Sequence, residues 1–367
     1  MRVLLVSANY RPSVGGIERF VEILAEGLAD RGHEVTVVTG RHRGGPALEE
    51  RAGVLIVRLR ASDVLRKRLG VPYPLFGPRA IRTLAGLVRQ AEVVHAQDAL
   101  YLPTVAALVL ARRRGVPSVL TQHVAFVPQE RAFLDLAQRA AVRTLGRSAR
   151  KATVVVAYNP EVAEWARRTW GLREVRLLPT GVPAQEVSEE ERSAARRELG
   201  IADDAFLALF AGRDVPKKRL EVFLRASDPA YELVAVTDRI DGGGRAARLV
   251  PFMDAARFSR LLAASDAFVL PSQGEGFPLA LQEALVAGVP CVVTREPGYE
   301  QFLDDGDVVF VPPEPAAIRS ELLRLATDPA QRAKFTAAAR DVGRRRFSYH
   351  AFVDAYERLY TAYHRRT

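Results

Sequence analysis

Cys291 is the only cysteine among 367 residues, and methionine and tryptophan occur twice each. A single thiol excludes an intramolecular disulfide, so we expect a protein of the reducing cytoplasm. Long apolar runs are missing too. The longest apolar run without charge, 99–111, is too short to cross a bilayer. The residues after Met1 predict a strand, not a secretory signal peptide.

Lysine is scarce, with five among 53 basic residues. Residues 1–183 hold 28 basic and 15 acidic side chains, a formal +13, and residues 184–367 hold 25 and 28, a formal −3. A basic half attracts anionic partners, which leaves peripheral contact with the inner face of the cell membrane open. The alternative is an Arg-rich composition that reflects genome base composition. Without basic residues interleaved with exposed aromatics, no nucleic-acid partner is expected.

Apolar runs of strand length alternate with helical patterns along the chain. This alternation predicts an α/β fold with parallel sheets covered by helices. A length above about 300 residues favours two domains, and turn residues at Leu178–Pro183 place the boundary between 1–183 and 184–346. Doubly wound, Rossmann-like domains bind ligands at the carboxyl ends of their strands, so we expect the two to face each other across a cleft.

Two glutamates, Glu275 and Glu283, lie eight residues apart in PSQGEGFPLALQEALVAGVPCVV. Glu275 falls in a glycine-flanked loop after the predicted strand Ala267–Leu270, and Glu283 falls two turns into the next predicted helix. Both carboxylates can then face one cleft. Ionised carboxylates accept several strong hydrogen bonds, which suits a ligand rich in hydroxyls. The alternative is a solvated loop residue and a helix-surface residue.

Two further segments have features of phosphate-binding loops. Gly15 and Gly16 follow a strand and open a helix in NYRPSVGGIERF, where free N–H groups bind anions. The full GxGxxG spacing is missing, which disfavours a dinucleotide, and a tight turn is the alternative. In FAGRDVPKKRL, Arg213 and Lys218 bracket a helix start, so both can bind a diphosphate. Exposed surface cations are the alternative there.

Histidines follow two of the predicted strands. His123, in VLTQHVAF, can bond a sugar hydroxyl or shield developing charge, and a structural role is the alternative. His95 and Asp98 offer at best a weak metal pair that no further ligand completes, so no metal site is expected. The pattern over 130–149 predicts one basic, amphipathic helix. Such a helix can rest on an anionic membrane or simply pack against its own domain.

In chain order, the segments SVGGIERF, LLPTGVP, FAGRDVPKK, the Glu-x7-Glu segment and RFSYHAFVDAYERLY resemble the retaining glycosyltransferases of family 4, which have the GT-B fold. The resemblance covers nearly the whole chain. It implies transfer of a sugar from a nucleotide diphosphate sugar to a hydroxyl acceptor, with retention of anomeric configuration and without a metal or other cofactor. It also implies that a terminal helix, within 347–367, crosses back to the first domain.

The resemblance implies a role for each matching residue. Arg213 and Lys218 would bind the diphosphate and stabilise the leaving group. Glu275 would hold hydroxyls of the donor sugar, and His123 would lie near that sugar in the acceptor domain. The remaining contacts to the donor would come from Gly15 and Gly16 near its phosphates or sugar, from the backbone of Gly276, Phe277 and Pro278, and from Glu283 at the ribose.

The chain departs from the family pattern in places. The usual Lys-Gly pair reads Lys218-Arg219, and the usual Asn-Gly of the linker reads Thr180-Gly181. A short segment before Val250–Met253 predicts that one covering helix is missing, and the nucleotide base is assigned loosely to that range. The acceptor stays open among lipid-linked, cell-envelope and natural-product hydroxyls. The rival functions are a nucleotide-sugar epimerase or phosphorylase on the same fold, and a non-catalytic sugar-nucleotide-binding protein.

Overall fold

The computed structural model describes residues 1–13, 15–41, 45–62, 64, 75–126, 132–239 and 247–365. The chain forms two compact units, one of Met1–Pro179 with His350–Thr367 and the other of Thr180–Tyr349. The backbone leaves the first unit after Pro179 and returns to it after Tyr349. The segment predicted to lack a covering helix includes 240–246, which lie outside the described residues.

Strands and helices alternate along much of the described chain. The strands are β1 (Arg2–Val6), β2 (Glu34–Gly40), β3 (Leu48–Arg51), β4 (Val54–Leu59), β5 (Ala61–Ser62), β6 (Leu75–Phe76), β7 (Val93–Gln97), β8 (Ser118–Thr121), β9 (Val154–Ala157), β10 (Arg176–Leu177), β11 (Leu207–Ala211), β12 (Glu232–Val236), β13 (Arg248–Val250), β14 (Ala267–Leu270), β15 (Cys291–Thr294) and β16 (Val309–Val311). The helices are α1 (Gly16–Asp30), α2 (Pro78–Gln90), α3 (Leu102–Arg114), α4 (Ala132–Thr144), α5 (Pro160–Trp170), α6 (Glu189–Glu198), α7 (Leu220–Leu224), α8 (Ala255–Ala263), α9 (Leu279–Ala287), α10 (Pro297–Glu300), α11 (Pro315–Thr327), α12 (Pro329–Arg346) and α13 (Tyr349–His364).

The first unit is built on an eight-stranded sheet in the order β10-β9-β8-β7-β1-β2-β4-β3. Its described strands pair in parallel except β3 with β4, and β5 and β6 form a separate antiparallel pair. Chain connections run from β1 towards β2 on one side and later resume at β7 on the other. The order therefore reverses between β1 and β7, and such a switch point leaves a crevice at the carboxyl ends of these strands.

The second unit has a six-stranded, parallel sheet in the order β13-β12-β11-β14-β15-β16. Its first three strands run outwards to one edge and its last three to the other, so the switch point lies between β11 and β14. This is the strand order of a Rossmann domain. The predicted α/β fold class with two doubly wound, Rossmann-like domains is confirmed.

Local sequence signals explain where several helices begin and end. The side chain of Asn159 accepts hydrogen bonds from the N–H groups of Glu161 and Val162 and so caps α5. Helix α3 ends at Gly115, whose φ of 69° suits glycine. Its last turn is Arg112–Arg114, where the helix dipole favours cations. No helix in the described ranges is long and apolar enough to span a membrane.

Helix α13 completes the core of the first unit from the far end of the chain. Tyr356 and Tyr360 are fully buried there. The Tyr360 hydroxyl lies 2.6 Å from Nδ1 of His95, in the middle of β7, and the ring of Tyr356 stacks on that histidine at 5.3 Å. Tyr356 also contacts Phe20 of α1 edge-on. Aromatic packing and buried hydrogen bonds, among them one of 3.3 Å between the hydroxyls of Tyr356 and Thr121, thus fix α13 to the sheet.

Candidate active site

Lys218 and Glu275 are brought together at the switch point of the second unit. The loop after β11 carries Lys217 and Lys218, and the loop after β14 carries Glu275. Oε1 of Glu275 lies 3.3 Å from Nζ of each lysine. The side chain of Glu275 is 10 % exposed and that of Lys218 is 15 % exposed, whereas Lys217 is 40 % exposed. A largely desolvated ion cluster therefore lies where open α/β sheets bind ligands.

Lys218 is the titrating group most affected by this arrangement. Burial lowers its pKa, and the neighbouring carboxylate of Glu275 opposes that shift. The positive charges of Lys217 and Arg213 lower the pKa of Lys218 further. Arg213 itself is exposed and near enough to influence Lys218. The lack of a side chain at Gly212 leaves room for Lys218, since a Cβ there would lie 3.3 Å from the lysine Cδ.

The two loops are also tied through their backbones. The N–H of Gln273 donates to the carbonyl of Lys217 at 2.8 Å, and the Arg219 guanidinium donates to the side chain of Gln273. Arg219 has a φ of 52°, the left-handed region that favours glycine. The family's glycine is thus replaced while the backbone shape that suits it is kept. The sequence pattern predicts one helix over 216–226, but the structure interrupts it, with a 3-10 turn at Pro216–Lys218 before α7.

Gly276, Phe277, Pro278 and Glu283 follow Glu275 along the chain. The Phe277 side chain lies in the core, stacked on Phe347 with ring centroids 4.8 Å apart, so its backbone alone is available to a ligand. Pro278 is the residue that precedes α9. Glu283 is half-buried on α9. Their contacts to a donor stay predictions, as do those of Arg213, Lys218 and Glu275.

Helix α9 is anchored by the residue beside Glu283. Gln282 is fully buried, and its Oε1 accepts a hydrogen bond of 2.9 Å from the hydroxyl of Thr180. Thr180, which replaces the usual asparagine of the linker, thus makes a side-chain hydrogen bond to α9. The helix ends at Gly288, whose φ is 76°. This contact fixes the helix that carries Glu283.

A separate cavity of about 190 Å³ lies at the carboxyl end of β13. Its walls include the whole of Val250–Met253, to which the nucleotide base was assigned from sequence, together with residues of α6 and α8. Arg257 in this wall pairs with Glu198 at 3.1 Å. The assignment of the base to this range stays a prediction.

In the first unit, His123 lies at the carboxyl end of β8, beside the switch point. Its Nε2 lies 2.8 Å from Oε1 of Gln97, and its backbone N–H donates to Oδ1 of Asp98 at 2.9 Å. Its ring contacts Phe20 edge-on at 4.7 Å. Burial lowers the pKa of His123 to about 3. The ring is therefore neutral near pH 7 and can act only as a hydrogen-bonding group there.

Asp98 is a buried carboxyl at the adjacent end of β7, with a φ of 50°. Burial raises its pKa to about 7, and the hydrogen bond from the His123 N–H opposes that rise. His95 does not form a metal pair with it, because both ring nitrogens of His95 are engaged, by Tyr360 and by Thr121 at 2.7 Å. Within the described residues there is no cluster of potential metal ligands.

Gly15 and Gly16 lie at the start of α1, next to the crevice at the carboxyl ends of β1 and β7. Gly15 has extended backbone and precedes the helix, and a Cβ on it would collide with the carboxylate of Glu18. The crevice walls include Ser7, Asn9, Glu18, Gln97 and Tyr101. Sequence reasoning did not single out these five, although Ser7 and Asn9 directly follow a buried strand, as catalytic loops do. Lys217 was not among the predicted site residues either, although it directly precedes Lys218.

Two family models match successive parts of the chain. The model described as Glycosyltransferase Family 4 matches residues 14–186, and that described as Glycosyl transferases group 1 matches residues 242–342. Together they include His123, Glu275 and Glu283. The chain belongs to the family 4 glycosyltransferases. The resemblance noted from the motifs is thereby confirmed.

Curated relatives and solved structures agree with this membership. The glycosyltransferase is 26% identical to D-inositol 3-phosphate glycosyltransferase of Nocardiopsis dassonvillei, over 92% of this chain and 89% of the relative. It is 23% identical to alpha-monoglucosyldiacylglycerol synthase of Acholeplasma laidlawii, over 83% of each. Among solved structures, Anabaena HepE in complex with UDP-glucose superposes with a TM-score of 0.78 at 16% identity, covering 99% of this chain and 100% of the other.

Proposed function

We propose that this glycosyltransferase moves a sugar from a nucleotide diphosphate sugar to a hydroxyl acceptor, with retention of anomeric configuration and without a metal ion. The observation that carries the proposal is the cluster of Lys217, Lys218 and Glu275 at the switch point of the second unit. Two cations suit a diphosphate, and a largely buried carboxylate suits the hydroxyls of a sugar attached to it.

The leaving group is the first requirement of the chemistry. The bond between the anomeric carbon and the diphosphate oxygen breaks, and that oxygen leaves with the electron pair. Lys218 and Arg213 stabilise the charge that develops on it. Preorganised charges of this kind in a largely desolvated site are worth more than in water. These side chains supply the positive charge that a divalent ion provides in metal-dependent transferases.

Retention follows if the acceptor hydroxyl attacks from the face that the diphosphate leaves. Its proton then passes to the departing phosphate oxygen, so the protein need not supply a base. His123 is suited to bond a donor hydroxyl as a neutral ring, since its pKa is too low for it to carry charge near pH 7. Glu275 holds the sugar, and Glu283 the ribose of the nucleotide.

We also propose that the acceptor is presented at an anionic membrane surface. Helix α4 has an exposed stripe that includes Phe133, 54 % exposed, and Leu136, 69 % exposed. Arg139 and Arg143 of the same helix are exposed too, as is Arg147 of the 3-10 segment that follows it. Exposed apolar side chains flanked by arginine are the features with which interfacial helices bind anionic lipid. The relative named alpha-monoglucosyldiacylglycerol synthase makes a lipid product, as its name states, and this supports the same acceptor class here.

A panel of nucleotide diphosphate sugars tests the donor half of the proposal. Ligands that bind the folded state raise the melting temperature, so the cognate donor should raise it more than its nucleoside diphosphate alone. Addition of EDTA to the enzyme, its donor and an acceptor should leave turnover unchanged. NMR of the product should show the anomeric configuration of the donor. Inversion at C2 of the donor, or cleavage that requires phosphate, would instead favour an epimerase or a phosphorylase. Binding without turnover for every acceptor would favour a non-catalytic protein.

A further inference from the structure

The segment after β15 lies against the loop that carries Glu275. Glu296 and Gly298, at the start of the short helix α10, both contact residues 274–276. We propose that Glu296 and Gly298 are positioning residues that hold the carboxylate of Glu275 in the orientation needed for the donor sugar. This inference rests on the proposed function, since it assumes that Glu275 holds the donor sugar.

Glu296 contacts the loop through a charge-assisted hydrogen bond. Its Oε2 accepts the N–H of Gly274 at 2.8 Å, and the residue is 9 % exposed. Hydrogen bonds to an ionised acceptor are roughly twice as strong as neutral ones, and burial reduces competition from water. Gly274 has a φ of 69°, which glycine adopts without strain. Glu296 thus holds the residue directly before Glu275 in a conformation that few residues can take.

Gly298 contacts the loop through its backbone. A Cβ on Gly298 would lie 2.6 Å from the carbonyl oxygen of Glu275 and closer still to that of Gly276. Non-bonded carbon and oxygen atoms do not approach so closely, so any side chain here would push the loop away. Glycine at this position is therefore required for the loop to lie where it does.

The loop is held from other directions as well. The carbonyl of Lys217 accepts the N–H of Gln273, and the two lysines pair with the Glu275 carboxylate. Phe277, at the far end of the loop, is fixed by its stack on Phe347. Of the contacts described, those of Glu296 and Gly298 reach the backbone on either side of Glu275 without touching its carboxylate. Their role is positional, and it is separable from the ion cluster.

The sugar and the nucleotide give different readouts of this role. If Glu296 positions Glu275, then its loss should weaken binding of the sugar moiety and leave binding of the diphosphate nearly unchanged. A merely structural role would lower the affinity for both ligands together, or would lower stability alone. The useful quantity is the ratio of the dissociation constant of the nucleoside diphosphate to that of the nucleotide diphosphate sugar.

The experiment compares Glu296→Leu, Glu296→Gln and Gly298→Ala with the wild type. The probes are the nucleotide hexose that the donor panel selects and the same nucleoside diphosphate without the hexose, titrated by calorimetry, with kcat and KM measured alongside. Glu300→Leu is the matched control, since Glu300 ends the helix α10 that begins directly after Glu296, but pairs with Arg295 on the surface. We expect Glu296→Leu and Gly298→Ala to lower the ratio about tenfold, the effect of one charge-assisted hydrogen bond.

Glu296→Gln keeps an oxygen that can accept the Gly274 N–H, so it should retain most of the ratio, and Glu300→Leu should retain all of it. Should Gly298→Ala fail to fold, the two Glu296 variants still decide. A wild-type ratio in Glu296→Leu, or equal losses for both probes, would overturn the positioning role alone. A wild-type protein that binds no nucleotide sugar would overturn the proposed function and this inference with it.

Discussion

Nζ of Lys218 lies 3.3 Å from Oε1 of Glu275, although the two residues follow different strands, β11 and β14. Because these strands are neighbours in the sheet, their loops meet at one end of it. The carboxylate offsets part of the positive charge that the buried lysine would otherwise leave uncompensated. The predicted diphosphate-binding residue and the predicted sugar-binding residue are thus directly coupled, and a change in either should alter the other.

Replacing the cations should lower turnover. We expect Lys218→Ala and Arg213→Ala each to reduce kcat by roughly two to three powers of ten, as loss of other preorganised oxyanion donors does. Steady-state kinetics with the selected donor would measure this. Lys334→Ala, which removes an exposed lysine far along the chain, is the control and should behave as the wild type. Near-normal turnover in both site variants would contradict the assignment.

The coupling also predicts a pH effect. Burial lowers the pKa of Lys218 and the charge of Glu275 raises it, so Glu275→Gln should lower that pKa further. Protonated Lys218 binds the diphosphate, and binding is therefore lost as the pH rises through its pKa. In Glu275→Gln this loss should begin at a lower pH than in the wild type. Titration of nucleoside diphosphate binding from pH 6 to 10 measures it, and coincident curves would rule the coupling out.

Asp98 should make stability depend on pH. Its pKa is raised from 3.8 to about 7, so the folded state keeps a proton that the unfolded state releases. The stabilisation is complete below about pH 4 and is lost as the pH rises to 7, at about 1.4 kcal/mol per pH unit. Asp98→Asn keeps an acceptor for the His123 N–H without titrating. Its free energy of unfolding relative to wild type, from denaturant titrations, should therefore increase from pH 4 to 7.

Taking the difference in stability between wild type and Asp98→Asn also cancels an opposing effect, which comes from two buried histidines. The pKa values of His95 and His123 are lowered to about 3, so both proteins lose stability as the pH falls from 6.5 towards 3. These histidines are present in the wild type and in Asp98→Asn, and their effect largely cancels. A flat difference between the two proteins from pH 4 to 7 would show that Asp98 does not carry the shift.

The buried hydrogen bond between Tyr360 and His95 should matter for stability. Tyr360→Phe keeps the ring but leaves Nδ1 of His95 without its 2.6 Å partner, at a cost of about 1–3 kcal/mol in unfolding free energy. Tyr363→Phe, on the same helix and only half-buried, should cost less. Chemical denaturation compares the two. Equal stabilities would mean that the hydrogen bond contributes little.

Membrane contact through α4 can be tested by vesicle flotation. Leu136→Glu should reduce flotation with vesicles of anionic phospholipid, because it places a negative charge on the exposed apolar stripe. Leu48→Glu is the matched control, since Leu48 is comparably exposed on β3 of the same unit. Neutral phosphatidylcholine vesicles should recruit less of the wild type. No difference between the two variants, or no binding by the wild type, would refute the contact.

Sequence reasoning predicted most of the repeating elements. The apolar patterns predict a strand over 118–121 and a helix over 160–170. Both elements are found with those ends, because clear turn or capping residues bound the patterns. Helix α12 was missed, since its interior carries little apolar periodicity. The single helix predicted over 130–149 is found as α4, which ends at Thr144, followed by a 3-10 segment at Leu145–Lys151. Residues 130 and 131 lie outside the described residues.

The chemistry was less accessible from the sequence than the fold. Charged residues after strands identified Lys218 and Glu275 because parallel strands end at one edge of a sheet. Glu296 also follows a strand, β15, but its partner is the backbone N–H of Gly274. Every residue but proline has such a group, so the sequence does not indicate this contact. The structural role of His95 was equally hidden, because both of its partners, Tyr360 and Thr121, lie far away along the chain.

Helix α13 packs into the first unit, although the 170 residues of Thr180–Tyr349 separate it from the rest of that unit. Domains generally fold in the order in which the ribosome makes them. Here the N-terminal unit cannot complete its core until the last helix has been translated, so the second unit has the opportunity to fold first. We therefore expect a premature stop codon shortly before Tyr356 to damage the beginning of the protein more than its middle.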